Sequence, residues 1–247
     1  MGDQIIERGI KREKSEPRFG HTLRGQTAEE EFAYILRLIR RSWFYKEHGY
    51  KVVLPDLKAF RGLDDQSLPL VDKHRLFAIF QSQEYDPHFF DASIAQLLPK
   101  LALIESMTSG PFDIWHKSWG YIVFPTYQIL LTKYGTGGSF DGDNGSITMR
   151  VAGDGSFPFP FPVENNILHE EVHLGVEGRI VRPLRLSHLE REVLVNKMCA
   201  VQFGGSIFDY SGRTGDYTHL GIYHAVNSES LLHLPNAIAE WAETRIK

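Results

Sequence analysis

Apolar residues recur along this chain with the periods of helices and short strands, and the clearest helical period lies near the N-terminus. Large apolar residues fall there three or four positions apart: Phe32, Ile35, Leu36, Ile39 and Trp43. Thr27 followed by Glu30 forms a capping box, which marks the start of a helix. The pattern predicts a helix over residues 28–47 that buries this face and is capped by Gly49.

Two further helices are predicted over residues 72–83 and 86–107. The second is expected to break at Pro99, because proline lacks the backbone N–H that continues a helix. The apolar side chains of this region are expected in the core: Phe89, Phe90, Ile94, Leu97, Leu98, Leu101 and Leu103. His74 and His88 have no metal-binding partner at a useful spacing and are interpreted as structural.

Shorter apolar runs predict strands. Residues 51–55 and 119–124 are interpreted as strands, while 127–133 fits either a helix or a strand. Residues 145–151 alternate strictly between two faces, which predicts a half-buried strand. The apolar face of that strand consists of Ile147, Met149 and Val151. Over residues 157–162 phenylalanine alternates with proline, which favours a stiff, extended connector whose rings could line a cleft.

Residues 165–175 carry the sequence His-Glu-x-x-His within an apolar run that predicts a helix. His169 and His173 are four residues apart and share one helical face, and Glu170 lies a third of a turn away. Two neutral imidazoles and a carboxylate that can hold a water are the components of a catalytic zinc site. A surface helix with an incidental His-Glu pair is the alternative, and the apolar flanks argue against it.

Gly178 is the expected end of the helix that carries the motif. A second, apolar stripe is expected to bury it: Leu168, Val172 and Val176.

A zinc site with an open coordination position uses three protein ligands. Glu177 continues the histidine face, but it lies roughly 12 Å from His169 along a helix, which is too far for the side chains to converge. A second helix is predicted to begin after Ser187, which forms a capping box with Glu190, and to end at Gly204. Because Glu177 is too far away, the third ligand is expected to come from an element other than the helix that carries the two histidines.

These two helices resemble those of the gluzincins, the thermolysin-like clan of zinc peptidases, over about 60 residues. In that clan a glutamate in the following helix is the third ligand, which implies Zn2+ bound by His169, His173 and Glu192. Glu190 is the alternative. The resemblance favours Glu192, because Asn196 stands one turn later, where the clan often has an Asp or Asn that hydrogen-bonds a ligand histidine.

The element pattern and the resemblance together predict an α+β fold: a small mixed sheet with an edge strand, two metal-binding helices and an N-terminal helical portion. A zincin-like fold would place strand 145–151 at the edge of the sheet, where an extended substrate can add its backbone. Residues 1–26 are expected to be flexible and to precede a single catalytic domain over 27–247. Its helical part would span 27–118 and its metal-binding part 119–247.

The expected reaction is hydrolysis of a peptide bond by a zinc-bound water that Glu170 deprotonates, after which Glu170 returns the proton to the leaving amine. A second donor is expected to hold the oxyanion. In gluzincins this donor follows the metal helices, and Tyr217 and His219 are the first candidates because they lie in a glycine-containing segment able to reach a cleft. Simple packing is the alternative for both. Other candidates in the segment are Arg213, Tyr223 and His224.

The composition fits a globular domain and narrows the partners. Of 247 residues, 42% are hydrophobic, and the net charge of −4 argues against non-specific nucleic-acid binding. No apolar run has the length of a membrane span, and residues 1–17 lack the apolar core of a signal peptide, so a cytoplasmic protein without a membrane partner is expected. Export by a route that leaves no such signal is the alternative. Cys199 is expected to be a buried apolar residue. The expected partner is a peptide or protein substrate. A zinc hydrolase of non-peptide substrates and an inert metal-binding protein are the alternatives.

Overall fold

A four-stranded mixed sheet organises the α+β fold in the computed structural model, which describes residues 19–204 and 217–244. The strands are β1 (Gly20–Gly25), β2 (Thr126–Thr132), β3 (Gly138–Asp141) and β4 (Ser146–Arg150). They lie in the order β1-β2-β4-β3. The first three strands in this order are parallel, and β3 pairs with β4 in the antiparallel direction.

The part of the chain that the structure describes also contains nine α-helices. The N-terminal helices are α1 (Ala28–Arg40), α2 (Ser42–Glu47), α3 (Lys73–Gln83) and α4 (Asp91–Trp119). The later helices are α5 (Val163–Val176), α6 (Arg182–Leu184), α7 (His188–Phe203), α8 (Gly221–Ala225) and α9 (Leu234–Thr244). A π-helical segment joins α5 to α6, and short 3-10 turns lie at Lys58–Phe60, Leu68–Leu70 and Ser230–Leu232.

The sheet differs from the sequence-based expectations in two ways. β1 lies inside the segment 1–26 that the sequence predicts to be flexible, because pairing with β2 along its whole length makes the strand. β4, within the predicted strand 145–151, is an inner strand and not the edge strand. Its polar residues Ser146 and Thr148 are buried together with Ile147, as suits a strand covered on both faces.

α1 begins with the predicted capping box of Thr27 and Glu30. The helix predicted over residues 28–47 is wrong at Arg41, whose backbone (φ −98°, ψ 14°) separates α1 from α2. The break takes Trp43 out of the apolar face, and this side chain is 59% exposed. The other members of the face are buried: Phe32, Ile35, Leu36 and Ile39.

α4 is one continuous helix of 29 residues that passes through Pro99. The predicted break at this proline is wrong. The strand predicted over 119–124 is also wrong, because α4 includes the first of these residues and Gly120 ends the helix with a φ of 79°. A proline inside a helix costs about 3 kcal/mol, and the burial of one face offsets this cost: Leu97, Leu101, Ile104, Phe112 and Trp115. Leu98 and Leu103 are exposed, contrary to the prediction.

The shorter predicted segments have mixed outcomes. The helix predicted over residues 72–83 is confirmed as α3, with Asp72 as its N-cap, and 127–133 form most of β2. Residues 51–55 contribute only an isolated β-bridge. The phenylalanine-proline connector is not uniformly extended, because Phe159 N donates a 2.8 Å hydrogen bond to Phe157 O and closes a tight turn.

The apolar core has two clusters. The larger lies between the sheet and helices α4, α5 and α7, and it includes Cys199, which is buried as predicted. The smaller is built mainly by α1 and α3. Because α4 belongs to the larger cluster, this cluster contains residues from both sides of position 118. Between residues 19 and 204, and again between 217 and 244, no helix combines the length and the apolar character that crossing a bilayer requires.

Candidate metal centre

α5 carries the His-Glu-x-x-His motif through the larger core. Its apolar stripe is fully buried, as the sequence predicts: Leu168, Val172 and Val176. Gly175 allows a close approach to Tyr121, whose ring occupies the position that a Cβ would take. The Tyr121 hydroxyl donates a 2.8 Å hydrogen bond to Glu171 O. These contacts fix α5 against the core.

The helix does not stop at Gly178, contrary to the sequence-based expectation. The chain continues through the π-helical segment Glu177–Val181 directly into α6. Gly178 permits a close contact instead, since a Cβ at this position would lie 2.8 Å from Ile122 Cδ1. The glycine therefore reflects packing and not helix termination.

His169 and His173 direct their rings at each other from successive turns of α5. Their Nε2 atoms are 2.9 Å apart, and the ring planes meet at 83°. Both residues are buried, with 7% and 2% of their surfaces exposed. Burial lowers the pKa of His173 to about 4, so this ring is neutral near pH 7 and can offer a lone pair to a metal ion.

Glu192 of α7 completes the group. Its Oε2 lies 3.4 Å from His169 Nε2, and its Oε1 lies 3.4 Å from His173 Nε2. The ligand atoms of the three residues all lie within 4.8 Å of one another. In a tetrahedral site with ligand distances of about 2.0–2.2 Å, neighbouring ligand atoms are about 3.3–3.6 Å apart. The donor set and the two 3.4 Å distances fit a divalent metal ion that accepts nitrogen and oxygen ligands, whereas the 2.9 Å between the histidine nitrogens is shorter than a tetrahedral site requires.

The start of α7 determines which of its carboxylates faces the histidines. Glu190 Oε2 accepts a 2.8 Å hydrogen bond from Ser187 N, and Ser187 Oγ accepts one from Glu190 N at 3.3 Å. This capping box occupies the Glu190 carboxylate. Glu192 remains to complete the candidate metal-binding group with His169 and His173, called the metal group from here on. The hydrogen bond predicted from Asn196 to a ligand histidine is not formed, because the buried Asn196 Oδ1 has no partner among the described residues.

β3 is the strand that lines the candidate metal centre. The Glu170 carboxylate lies against Gly138, where a Cβ would overlap its Oε1. Phe140, two residues later, stacks on the His173 ring with centroids 5.0 Å apart and planes 15° apart. The sequence assigns this role to strand 145–151, but the sheet order places β3 at the edge and beside α5.

The outer edge of β3 presents backbone groups that β4 does not use. Arg150 N donates a 2.9 Å hydrogen bond to Gly137 O. Residues of an antiparallel strand alternate between facing the partner strand and facing away, so Gly138 and Phe140 direct their N–H and C=O groups away from β4. In the described part of the chain, no strand pairs with β3 on that side. This edge runs beside the Glu170 carboxylate.

Gly138 and Phe140 are site residues that the sequence patterns do not reveal. β3 has only four residues, too few to show a period of apolar and polar positions. It lies beside the candidate metal centre because of its pairing in the sheet. The adjacent glycines at 137 and 138 are the one available signal, since glycine in a strand often marks a close backbone approach. Tyr34 of α1 supports the strand through its Oη, 3.4 Å from Ser139 Oγ, and burial raises the pKa of Tyr34 to about 12.

Tyr217 and His219 lie in the turn that precedes α8. Tyr217 is half-buried against the larger core, and its ring centroid is 6.5 Å from that of His219. α8 packs on α7, where Lys197 Nζ lies 4.0 Å from the centroid of the Tyr223 ring. The assignment of Tyr217 or His219 as oxyanion donor stays a prediction. Arg213 lies outside the described residues.

A buried network supports α5 from the sheet. His21 of β1 contacts two carboxylates. Its Nε2 atom lies 2.6 Å from Glu171 Oε1, and its Nδ1 atom lies 3.0 Å from Glu105 Oε1. The side chains of His21 and Glu171 are fully buried. Burial alone would lower the pKa of His21, but the hydrogen bonds and charges of Glu171 and Glu105 raise it above its usual value. Successive glutamates of the motif thus have different surroundings, Glu170 at β3 and Glu171 at β1.

Comparisons with known protein families, with curated proteins and with solved structures found no match for this chain. The resemblance to gluzincins therefore rests on the residues of the two metal helices alone.

Proposed function

We propose that this protein is a zinc-dependent metallopeptidase with a zincin-like arrangement of edge strand and metal helices. One observation carries the proposal: two imidazoles and a carboxylate converge beside a second carboxylate that lies against the edge of a sheet. Three protein ligands leave one position of a tetrahedral zinc ion open for catalysis. The adjacent strand edge offers a place for a peptide backbone.

Each side chain of the centre has a distinct role in the proposed reaction. His169, His173 and Glu192 hold the metal. When bound, Zn2+ supplies Lewis-acid polarisation of the substrate carbonyl and lowers the pKa of a water molecule. Glu170 accepts a proton from the water that attacks the carbonyl carbon, and it delivers this proton to the amine nitrogen as the carbon–nitrogen bond breaks.

The edge of β3 supports a peptide as the substrate rather than a small ester or amide. Gly138 and Phe140 offer N–H and C=O groups at the spacing of a strand, which an extended peptide can match with its own. Gly138 has no side chain to displace the Glu170 carboxylate. A peptide added to this edge therefore passes beside the general base.

The proposal is tested by the substitution Glu170→Gln. Because Glu170 is not a ligand, the variant is expected to keep one zinc ion per chain while hydrolysis of a peptide library falls on the order of 10²- to 10⁴-fold or more. Glu164→Gln is the matched control on the same helix. Glu164 forms a partly buried 2.8 Å ion pair with Lys100 at the first turn of α5, and its loss should leave zinc content and rate unchanged.

Other outcomes identify the alternatives. A wild-type rate in Glu170→Gln would show that the assigned base is wrong. Zinc binding without cleavage of any peptide would favour a zinc hydrolase of another substrate class. Failure of the reconstituted protein to retain metal, measured by emission spectroscopy after dialysis, would favour an inert binding protein.

A further inference from the structure

Arg191 precedes the proposed ligand Glu192 and places a positive charge beside the metal group. Its Nη2 lies 3.6 Å from Glu192 Oε1, and its Cζ lies 5.7 Å from the centroid of the Phe140 ring. The guanidinium therefore lies between α7 and the edge strand β3. The side chain is 25% exposed, so a molecule from solution can reach it.

His188 fixes the orientation of the guanidinium. Arginine has only donors, so Arg191 Nη2 donates its 2.9 Å hydrogen bond to His188 Nδ1. A neutral imidazole that accepts at Nδ1 carries its proton on Nε2, which donates to Tyr50 Oη at 2.7 Å. The chain from Tyr50 through His188 holds Arg191 in a defined place without neutralising it.

Most donors of Arg191 have no acceptor. In the described part of the chain, Nη2 makes the hydrogen bond of the guanidinium, and the buried Nε has no partner. Glu192 does not fill this need, because its oxygens are directed at the two histidines and 3.6 Å is too long for a hydrogen bond. A planar fork of free N–H groups matches a carboxylate.

The charges of the site also favour an anion. The two rings contribute no charge when they are neutral, and Glu170 and Glu192 together balance a divalent cation. Arg191 then leaves one positive charge in excess next to the proposed reaction centre. Partial burial strengthens its attraction for a negative group, because the surrounding medium screens less than water does.

We propose that Arg191 is a specificity-determining residue that binds a carboxylate of the substrate close to the scissile bond. The inference rests on the proposed peptidase function. The 3.6 Å between Arg191 Nη2 and Glu192 Oε1 places the guanidinium next to a proposed metal ligand, so a carboxylate bound to it lies near the proposed reaction centre. The carboxylate is either the C-terminus of the substrate or an acidic side chain, and the two sources are separated by experiment.

The test measures binding and not turnover. Two peptide hydroxamates that differ only in a terminal carboxylate or carboxamide are titrated calorimetrically into the zinc-loaded protein. A second pair, both terminal amides, differs in one glutamate or glutamine. A charge-assisted hydrogen bond predicts that the carboxylate member of one pair binds about 10- to 100-fold more tightly. The pair that shows this preference identifies the source of the carboxylate.

Variants assign the preference to Arg191. Arg191→Gln should reduce it to less than about twofold, and Arg191→Lys should retain part of it, because an ammonium keeps the charge but not the fork. Arg185→Gln removes an exposed arginine before α7 and should change nothing. Equal binding within both pairs by the wild type overturns the inference, as does a preference that survives Arg191→Gln. If Arg191→Gln loses zinc, an unchanged preference in Arg191→Lys overturns it.

The two proposals fail in different ways. A carboxylate preference in hydroxamate binding, with no hydrolysis of any peptide, would refute the peptidase function and retain the role of Arg191. Peptide hydrolysis at equal rates for acids and amides, and for glutamate and glutamine, would refute the role of Arg191 and retain the function.

Discussion

At the scale of single residues, the first turns of α7 divide their carboxylates between two tasks. Glu190 closes the capping box with Ser187, whereas Glu192 faces the histidines of α5. A cap holds the start of a helix in register, so the side chain two residues later is held toward the metal group. The geometry of the proposed ligand thus depends on a local backbone interaction.

This division predicts opposite effects of two conservative substitutions. Glu192→Gln is expected to lower zinc affinity on the order of 10²-fold or more, because a neutral amide oxygen is a weaker ligand than a carboxylate. Glu190→Gln should keep zinc, because glutamine serves a capping box as well as glutamate does. The zinc affinity of both variants is measured by competition for zinc with a metal-buffering dye. Zinc lost from Glu190→Gln and kept by Glu192→Gln would transfer the third ligand to Glu190.

Residue chemistry that depends on local spacing could be predicted from the sequence, and chemistry that depends on tertiary contact could not. The shared face of His169 and His173 follows from helix geometry alone. Phe140 stacks on His173 because a sheet edge comes beside a helix, and no local pattern carries that information. Asn196 was expected to support a histidine by analogy, but its Oδ1 has no such contact.

At the scale of elements, two glycines let other elements approach α5 on different sides. Gly138 of β3 leaves space for the end of the Glu170 side chain, and Gly175 of α5 leaves space for the buried ring of Tyr121. The first contact involves the flexible end of a side chain. The second involves a fully buried aromatic ring in the larger core, which has little freedom to move.

Alanine substitutions at these glycines should therefore separate activity from stability. Gly138→Ala is expected to displace the Glu170 carboxylate and lower kcat on the order of 10- to 100-fold, with zinc retained and little change in the free energy of unfolding. Gly175→Ala is expected to lower that free energy by about 1–3 kcal/mol or more, because the core is overpacked. Steady-state kinetics and urea denaturation test both. A large loss of stability in Gly138→Ala would mean that β3 cannot shift without unfolding.

The elements that the sequence missed are those that packing creates. β1 has too few apolar residues to predict a strand, and parallel pairing with β2 forms it. α4 continues through its prolines because its buried face is anchored in the larger core. The capped starts of α1, α3 and α7 were predictable, since each is decided within four residues.

At the scale of the whole molecule, His21 joins three distant parts of the chain. It lies on β1, bonds Glu105 of α4 and Glu171 of α5, and its ring stacks on Tyr127 of β2 with centroids 5.7 Å apart. Both ring nitrogens meet carboxylates, so both act as donors when the ring is protonated. Helix α5, which carries two residues of the candidate metal centre, is therefore held to the sheet by the network of His21, Glu105 and Glu171.

The network predicts a pH-dependent contribution to stability. The folded-state pKa of His21 is raised above its usual value of 6.5, so its contribution is fully present below that value and is lost as the pH rises through the folded-state pKa. His21→Gln breaks a buried charge pair, at a cost on the order of 3 kcal/mol. The difference in free energy of unfolding between wild type and variant should be widest below pH 6.5 and should narrow as the pH rises through the folded-state pKa of His21. Urea denaturation with a chelator present measures this difference without the pH-dependent contribution of metal.

The control is His74→Gln, a substitution at an exposed position, whose stability should follow that of the wild type at every pH. A difference between wild type and His21→Gln that stays constant as the pH rises would mean that His21 is neutral in the folded protein.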